Sequence, residues 1–285
     1  MNGKRIGIIG GSGLYEMKEL AIEEEVRVET PFGEPSDKFI LGTLMGKKVA
    51  FLPRHGKGHR ILPSQLNFRA NIFGMKKLGV AQILSVSAVG SMKEEIEPGH
   101  IVIPDQFFDQ TKNRISTFFG NGVVGHASFA DPVCGALCEV VTASAKSAGA
   151  TVHKGGTYIC IEGPLFSTRG ESNIYRKWGV DVIGMTNVTE AKLAREAGVC
   201  YSTIALATDY DCWYAGHEEV TVEAVIRIIH QNVEMAQKII KNAVGSIDGK
   251  KACACADAMK NAIMTNKDMI PEQTRKDLEI ILNLK

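Results

Sequence analysis

Ala207-Thr208-Asp209-Tyr210-Asp211-Cys212-Trp213 closes a mostly apolar run over residues 199–207. Near-continuous apolar runs of this length are the buried strands of α/β proteins. Two acids at the exit of such a strand are costly to bury without partners. At i and i+2 of an extended chain they point to the same side, roughly 6.5–7 Å apart at the Cα. Sites in open α/β sheets lie outside the carboxyl ends of the strands. Each acid raises the pKa of the other, and burial raises both, so the pair can hold a proton near neutral pH and donate it to a substrate atom. Two solvated loop acids, or a helix N-cap, are the plainer alternatives.

The rest of the chain repeats this pattern of strand, loop and helix. Residues 4–9 read as a first strand, followed by Gly10-Gly11-Ser12-Gly13, a turn whose backbone N–H groups can approach a phosphate. As a dinucleotide fingerprint the turn fails, because the G-x-G-x-x-G spacing requires glycine where Glu16 stands. Residues 38–44 and 47–52 alternate around Met45-Gly46 as a β-hairpin. Its second strand ends in Pro53-Arg54-His55-Gly56-Lys57-Gly58-His59, four basic side chains in a glycine-bearing loop, suited to an anion or else a solvated basic turn. Residues 63–78 carry a helical pattern, and 81–89 a buried strand ending in Ser87-Ala88-Val89-Gly90-Ser91. Residues 101–103 form a short strand, and 105–131 a loop long enough to imply function or an interface. Asp131-Pro132 reads as N-cap and N1 of a helix to about residue 148. Strands follow at 151–161 and 180–184, and helices at 168–178, 188–197 and 222–243. Two more helical segments are expected at about 254–264 and 271–283. The architecture this predicts is α/β, one domain over residues 1–245 with a twisted, mixed, mostly parallel sheet flanked by helices. Residues 246–285 are expected as a helical extension packed on it.

Composition excludes some functions. The formal net charge is +1 with Lys and Arg dispersed, which gives no electrostatic case for nucleic acid or an anionic membrane. No apolar run reaches the ~18 residues of a transmembrane helix, and no secretory signal precedes the first strand, so a cytoplasmic protein is expected. Seven cysteines are present. Five read as buried, inert thiols. Cys253 and Cys255 form a CxC pair after Gly249-Lys250-Lys251, a linker whose charge would lower a thiol pKa. The pair is either two small apolar residues opening a helix or a strained, redox-active bridge. Zinc is set aside on the sequence, since a CxC supplies two ligands and no neighbouring His or Cys supplies the others.

Six motifs in this order resemble the family of 5′-methylthioadenosine phosphorylases and related purine nucleoside phosphorylases. They are Gly10-Gly11-Ser12-Gly13-Leu14, Pro53-Arg54-His55-Gly56, Ser87-Ala88-Val89-Gly90-Ser91, Glu162-Gly163-Pro164-Leu165-Phe166-Ser167, Ile183-Gly184-Met185-Thr186 and Ala207-Thr208-Asp209-Tyr210-Asp211. The resemblance implies that Ser12, Arg54, His55, Ser87, Ala88 and Thr186 bind inorganic phosphate. It places Met185 against the ribose, Phe166 and Ser167 at the purine, Asp209 at N7 and Asp211 at the 6-amino group. Val222, Val225 and Ile226 would hold the 5′-methylthio group. His126 would reach a neighbouring subunit's site in a homo-oligomer, a trimer or dimer of trimers. The implied partners are a small nucleoside and phosphate as co-substrate, with no metal or organic cofactor.

Leu165 departs from the polar or basic residue usual in the family, and Thr189 from a proline. Ser12 and Ser87 replace threonines but keep the hydroxyl. Two aspartates favour a 6-aminopurine. A phosphorylase acting on adenosine, inosine or methylthioinosine is the related alternative. A non-catalytic nucleotide-binding module is the alternative from another class, and it leaves Arg54-His55 and the paired acids without a role.

Overall fold

The structure, a computed structural model, describes residues 4–214, 222–248 and 253–282; the side chains of Ser12 and of residues 222–231 lie outside the described part. In chain order the first half forms β1 (Arg5–Gly10), β2 (Ala21–Val26), β3 (Phe39–Leu44), β4 (Lys47–Pro53), α1 (Phe68–Lys77), β5 (Val80–Ser91), β6 (Ile101–Ile103), β7 (Gln106–Gln110) and α2 (Gly135–Ser147). The second half adds β8 (Val152–Lys154), β9 (Thr157–Ile161), α3 (Arg169–Lys177), β10 (Val182–Gly184), α4 (Asn187–Glu196), β11 (Cys200–Asp209), α5 (Val222–Ser246), α6 (Glu272–Asp277) and α7 (Glu279–Leu282).

All of these strands join one mixed sheet, with β1, β5 and β11 at its centre. These three are buried on both faces because helices cover both, and their Ile and Leu side chains help form the core. The pairings of β1 with β4 and β5, of β5 with β11, and of β9 with β10 and β7 are parallel, as expected.

The sheet forks on β5, and the fork positions the site. On one edge β1 runs beside β5 as far as Ser85, and β10 joins β5 antiparallel only at Gly90 and Ser91. On the other edge β11 pairs with β5 from Gln82 to Gly90. The stretch 86–89 therefore has a ladder partner on one edge alone. A buried backbone carbonyl without a ladder partner must find another donor. For Val86 that donor is Arg54 Nη1, at 2.7 Å.

Several expected elements differ. β2 is exposed along nearly its whole length and carries Glu23, Glu24 and Glu25. It is a charged edge strand, which apolar patterning does not detect. The 105–131 segment is not all loop, since β7 pairs with β9. The helix expected from Asp131 starts at Gly135, because the Cys134 amide is held 2.9 Å from the Tyr201 carbonyl on β11. The strand expected at 151–161 breaks at Gly155 and Gly156, whose φ of 85° and 108° no strand residue adopts. The helix expected at 254–264 reduces to one 3-10 turn, Ala254–Asp257. The linker residues 249–251 lie outside the described residues.

Candidate active site

A cavity of about 690 Å³ opens at the carboxyl ends of β1, β4, β5, β10 and β11. That volume is in the range of small-molecule sites. Arg54, His55, Ser87, Ala88, Thr186, Phe166, Ser167, Met185, Asp209 and Asp211 all line it. The sequence expectation thus brings ten residues from five segments to one place. The backbone of Gly11 and Gly13 lines the same cavity. Ser12 lies between them, and its side chain is outside the described residues. The side chains of Val222, Val225 and Ile226 are likewise outside them, although the helix that carries them is described. His126 is exposed, and the described lining of this cavity does not include it.

The acids are not arranged as an extended i, i+2 pair. The β11 register shifts between Ala207 and Asp209, and Asp211 adopts φ 52° at the start of a 3-10 turn. Bulges of this kind re-aim a side chain at a strand end. The chain folds back so that the Asp211 amide donates to Asp209 Oδ1 at 2.8 Å, and the Thr208 hydroxyl donates to Oδ2 at 2.6 Å. Asp211 accepts from the Ser172 hydroxyl at 2.5 Å. Burial raises the Asp209 pKa against these two donors. Burial also raises that of Asp211, with a smaller contribution from the Asp209 charge. The mutual effect expected from the sequence is therefore secondary to desolvation. The turn is pinned from three sides: Arg169 Nη1 to the Cys212 carbonyl at 2.8 Å, Trp213 Nε1 to the Ser91 carbonyl at 2.8 Å, and the Arg176 guanidinium 3.5 Å above the Trp213 ring.

The Arg54 guanidinium, which lines the same cavity, is buried and already engaged. Its Nε lies 2.6 Å from Glu190 Oε1, and Nη2 contacts Ser85 Oγ at 2.6 Å and Glu190 Oε2 at 3.2 Å. Glu190 Oε2 also accepts from Ser85 and from the Tyr201 hydroxyl, each at 2.8 Å. Asn187 Nδ2 reaches Ser85, Tyr201 and Thr203, and its Oδ1 accepts from the Thr186 hydroxyl at 3.0 Å. The network runs from Arg54 to Thr186, two residues that line the cavity. A fully paired buried network of this sort fixes its members in place. Burial opposes the Arg54 charge most strongly, but the Glu190 charge and hydrogen bond outweigh it, and its pKa is raised.

His55 is neutral at pH 7. Burial first, then the Arg54 charge, lowers its pKa to about 4. Its Nδ1 lies 2.8 Å from the Ile61 carbonyl, so the neutral ring carries its proton there and Nε2 holds the lone pair. His59 stacks on the ring at 4.3 Å.

Met185 and Ile183 add apolar lining, and Phe166 lines the cavity while exposed. Ser167 Oγ is buried without a hydrogen-bond partner in the protein, a state that polar atoms adopt where a ligand supplies the partner. Leu165 is 83% exposed and does not line the cavity.

A profile of the phosphorylase superfamily matches residues 5–245. An S-methyl-5′-thioadenosine phosphorylase from Geobacter sulfurreducens is 63% identical over 278 residues, 97% of each chain. The chain belongs to the phosphorylase superfamily, in its S-methyl-5′-thioadenosine phosphorylase branch. A solved methylthioadenosine phosphorylase from an antarctic soil metagenomic library superposes with a TM-score of 0.95 at 46% identity, over 99% of this chain and all of that one. A variant of the adenosine/methylthioadenosine phosphorylase of Schistosoma mansoni, solved with methylthioadenosine, gives a TM-score of 0.86 at 35% identity over 93% of this chain and 99% of that one.

Several residues around this cavity escaped the sequence reading. Glu190, Asn187, Ser85 and Tyr201 lie inside a helix and two strands that read as plain core. Arg114 sits in the segment taken for loop. Its side chain is 2% exposed, and it donates to the Met185 carbonyl at 2.5 Å and to the Glu162 carbonyl at 2.7 Å. It is a positioning residue for Met185. A lone arginine in a segment read as loop gives no signal of this in sequence. Among the described residues, no helix is long and apolar enough to cross a membrane.

Proposed function

We infer that the protein cleaves 5′-methylthioadenosine with inorganic phosphate, giving adenine and 5-methylthioribose 1-phosphate. The observation that carries this reading is a single cavity whose lining gathers His55, Ser87, Ala88 and Thr186, groups suited to an anion, together with the buried acid Asp209. A nucleoside spanning the cavity would place phosphate at one end and the purine at the other.

Phosphate would attack the anomeric carbon as the bond to purine N9 breaks, through a cation-like ribosyl centre. Ser87 and Thr186 hydroxyls and the glycine-turn amides would donate to the phosphate. His55 Nε2, as a lone pair, would accept from the protonated oxygen of monohydrogen phosphate. Arg54 would act with its charge already balanced by Glu190, so it holds the donors in place more than it supplies net charge. The leaving purine gathers negative charge, and protonated Asp209 at N7 stabilises it as it develops. Asp211 Oδ1 would accept from the 6-amino group while Ser172 holds Oδ2. No metal or organic cofactor takes part in this chemistry.

The preference for a thioether over a 5′-hydroxyl rests on α5. Val233 lines the cavity, and residues 222 and 226 precede it by eleven and seven positions, one helical face. Gln237 Nε2 ties that helix to the Gly13 carbonyl at 2.8 Å. The proposal includes a homo-oligomer, a trimer or dimer of trimers, in which His126 completes a neighbour's site. It includes a cytoplasmic location, supported by seven free thiols. Phosphate dependence of adenine release tests the reading.

A further inference from the structure

Cys134 stands at the N-cap of α2, and Cys200 opens β11. Cys253 and Cys255 lie more than fifty residues further along the chain. The fold brings all four together. Their sulfur atoms lie within 4.8 Å of one another, with Cys200 Sγ and Cys253 Sγ 3.1 Å apart. Three of the residues are buried and Cys253 is partly so. All four are free thiols. Among the described residues, no other group of His, Cys, Asp and Glu side chains converges in this way.

Four thiolates at ~2.3 Å from a zinc ion stand roughly 3.8 Å from one another in a tetrahedron. The spacing here brackets that value, and it lies well beyond the ~2.05 Å of a sulfur–sulfur bond. The two ligands that a lone CxC lacks are thus supplied by Cys134 and Cys200, which sequence spacing alone does not bring near the pair. Two of these cysteines are held on rigid elements. The Cys134 amide donates to the Tyr201 carbonyl at 2.9 Å, which locks it to the strand that Cys200 begins.

The tail is seated independently of its sulfurs. Gly198 adopts φ 64°, and a Cβ there would lie 3.2 Å from the Ala256 carbonyl oxygen. Beyond the cysteines the tail runs on to residues 121–126. His126 N–H donates to the Ala262 carbonyl at 2.8 Å, and Thr274 Oγ1 to the Asn121 carbonyl at 2.7 Å.

We propose that Cys134, Cys200, Cys253 and Cys255 form a closed four-thiolate zinc site that clips the C-terminal segment to the catalytic fold. A site with four protein ligands has no open position, so its role is structural. It is also remote from the reaction. Cys200 and Asp209 are the two ends of β11, a ten-residue strand spanning about 30 Å. On binding, each thiol releases its proton to solvent, four protons per zinc, and affinity rises with pH. The added negative charge faces the positive end of α2, a thirteen-residue helix.

The test uses the full chain, expressed with zinc in the medium and purified under reductant without chelator. Metal analysis is expected to give about one zinc per chain. Cys253→Ser/Cys255→Ser should lose it, while Cys160→Ser, a buried cysteine outside the cluster, should keep it. The double variant should retain phosphorolysis at moderate temperature but inactivate several-fold faster on heating. Cobalt exchanged into the parent protein, which needs no variant to fold, should show thiolate-to-metal charge transfer and tetrahedral visible bands. Four titratable thiols and no zinc in the reduced protein would overturn the site. So would bridged cysteines without metal, seen as two hydrogens lost per bridge in the intact mass. Zinc retained by the double variant would place the metal elsewhere and overturn it too. Zinc loss with the parent's heat resistance would refute the clip.

Discussion

The Asp211 amide donates to Asp209 Oδ1 at 2.8 Å, and Thr208 holds the other oxygen, so the carboxyl of Asp209 is fixed in one orientation at the end of β11. Burial raises its pKa despite both donors. If protonated Asp209 assists the leaving purine, Asp209→Asn lowers kcat by about 10²–10⁴, the range of a general acid. Phosphate affinity stays near the parent's. In the parent, kcat falls as pH rises through the raised Asp209 pKa, because the proton it donates is then lost. Parent turnover of methylthioadenosine by the variant removes Asp209 from the mechanism.

Glu190 balances Arg54 in a site with almost no water contact. Glu190→Ala leaves a buried guanidinium uncompensated, which costs about 3–5 kcal/mol of stability. It also frees Ser85, Asn187 and Thr186 from their fixed arrangement, and KM for phosphate rises. Denaturant unfolding and initial rates against phosphate measure the two effects. Parent stability in the variant would show that the network is dispensable.

His55 gives the fold a defined acid sensitivity. Its pKa is about 4 when folded, below the unfolded value of 6.5. Between these values the unfolded chain binds the extra proton, so stability rises with pH across that window. The contribution is complete above about 6.5 and is lost as pH falls through about 4, worth at most about 3 kcal/mol at 1.36 kcal/mol per pH unit. His55→Gln should flatten the stability profile over that interval. An unchanged slope means His55 titrates as an exposed histidine.

The proposed oligomer rests on the family resemblance at His126, which is exposed and outside the described lining of its own chain's cavity. Sedimentation at assay concentration should give a trimer or hexamer, and His126→Ala should lower activity without unfolding the chain. A fully active monomer contradicts the shared site.

Much of this was legible in sequence. The strand ends announce themselves because buried strands are apolar and the loops after them change abruptly to Gly, Ser, Arg-His or Asp. That contrast located Arg54, His55, Ser87 and Asp209, while Phe166 and Met185 came from the family resemblance alone. The partners behind them were not legible. Glu190 and Asn187 look like ordinary polar residues of a helix, and only tertiary packing directs them at Arg54 and Ser85. The cysteine cluster failed for the same reason: its ligands come from a helix cap, a strand start and a tail separated by up to 121 positions, from Cys134 to Cys255. The bulge before Asp209 also has no local sequence cause that patterning detects, so an extended pair of acids was expected where a folded-back turn occurs.

The most direct test follows adenine and 5-methylthioribose 1-phosphate from methylthioadenosine, with phosphate present and with phosphate removed, alongside adenosine and inosine. Equimolar products are expected only with phosphate, with higher kcat/KM for methylthioadenosine than for either 5′-hydroxyl nucleoside. Adenine released at the same rate without phosphate, or no cleavage with it, would contradict the proposed phosphorolysis.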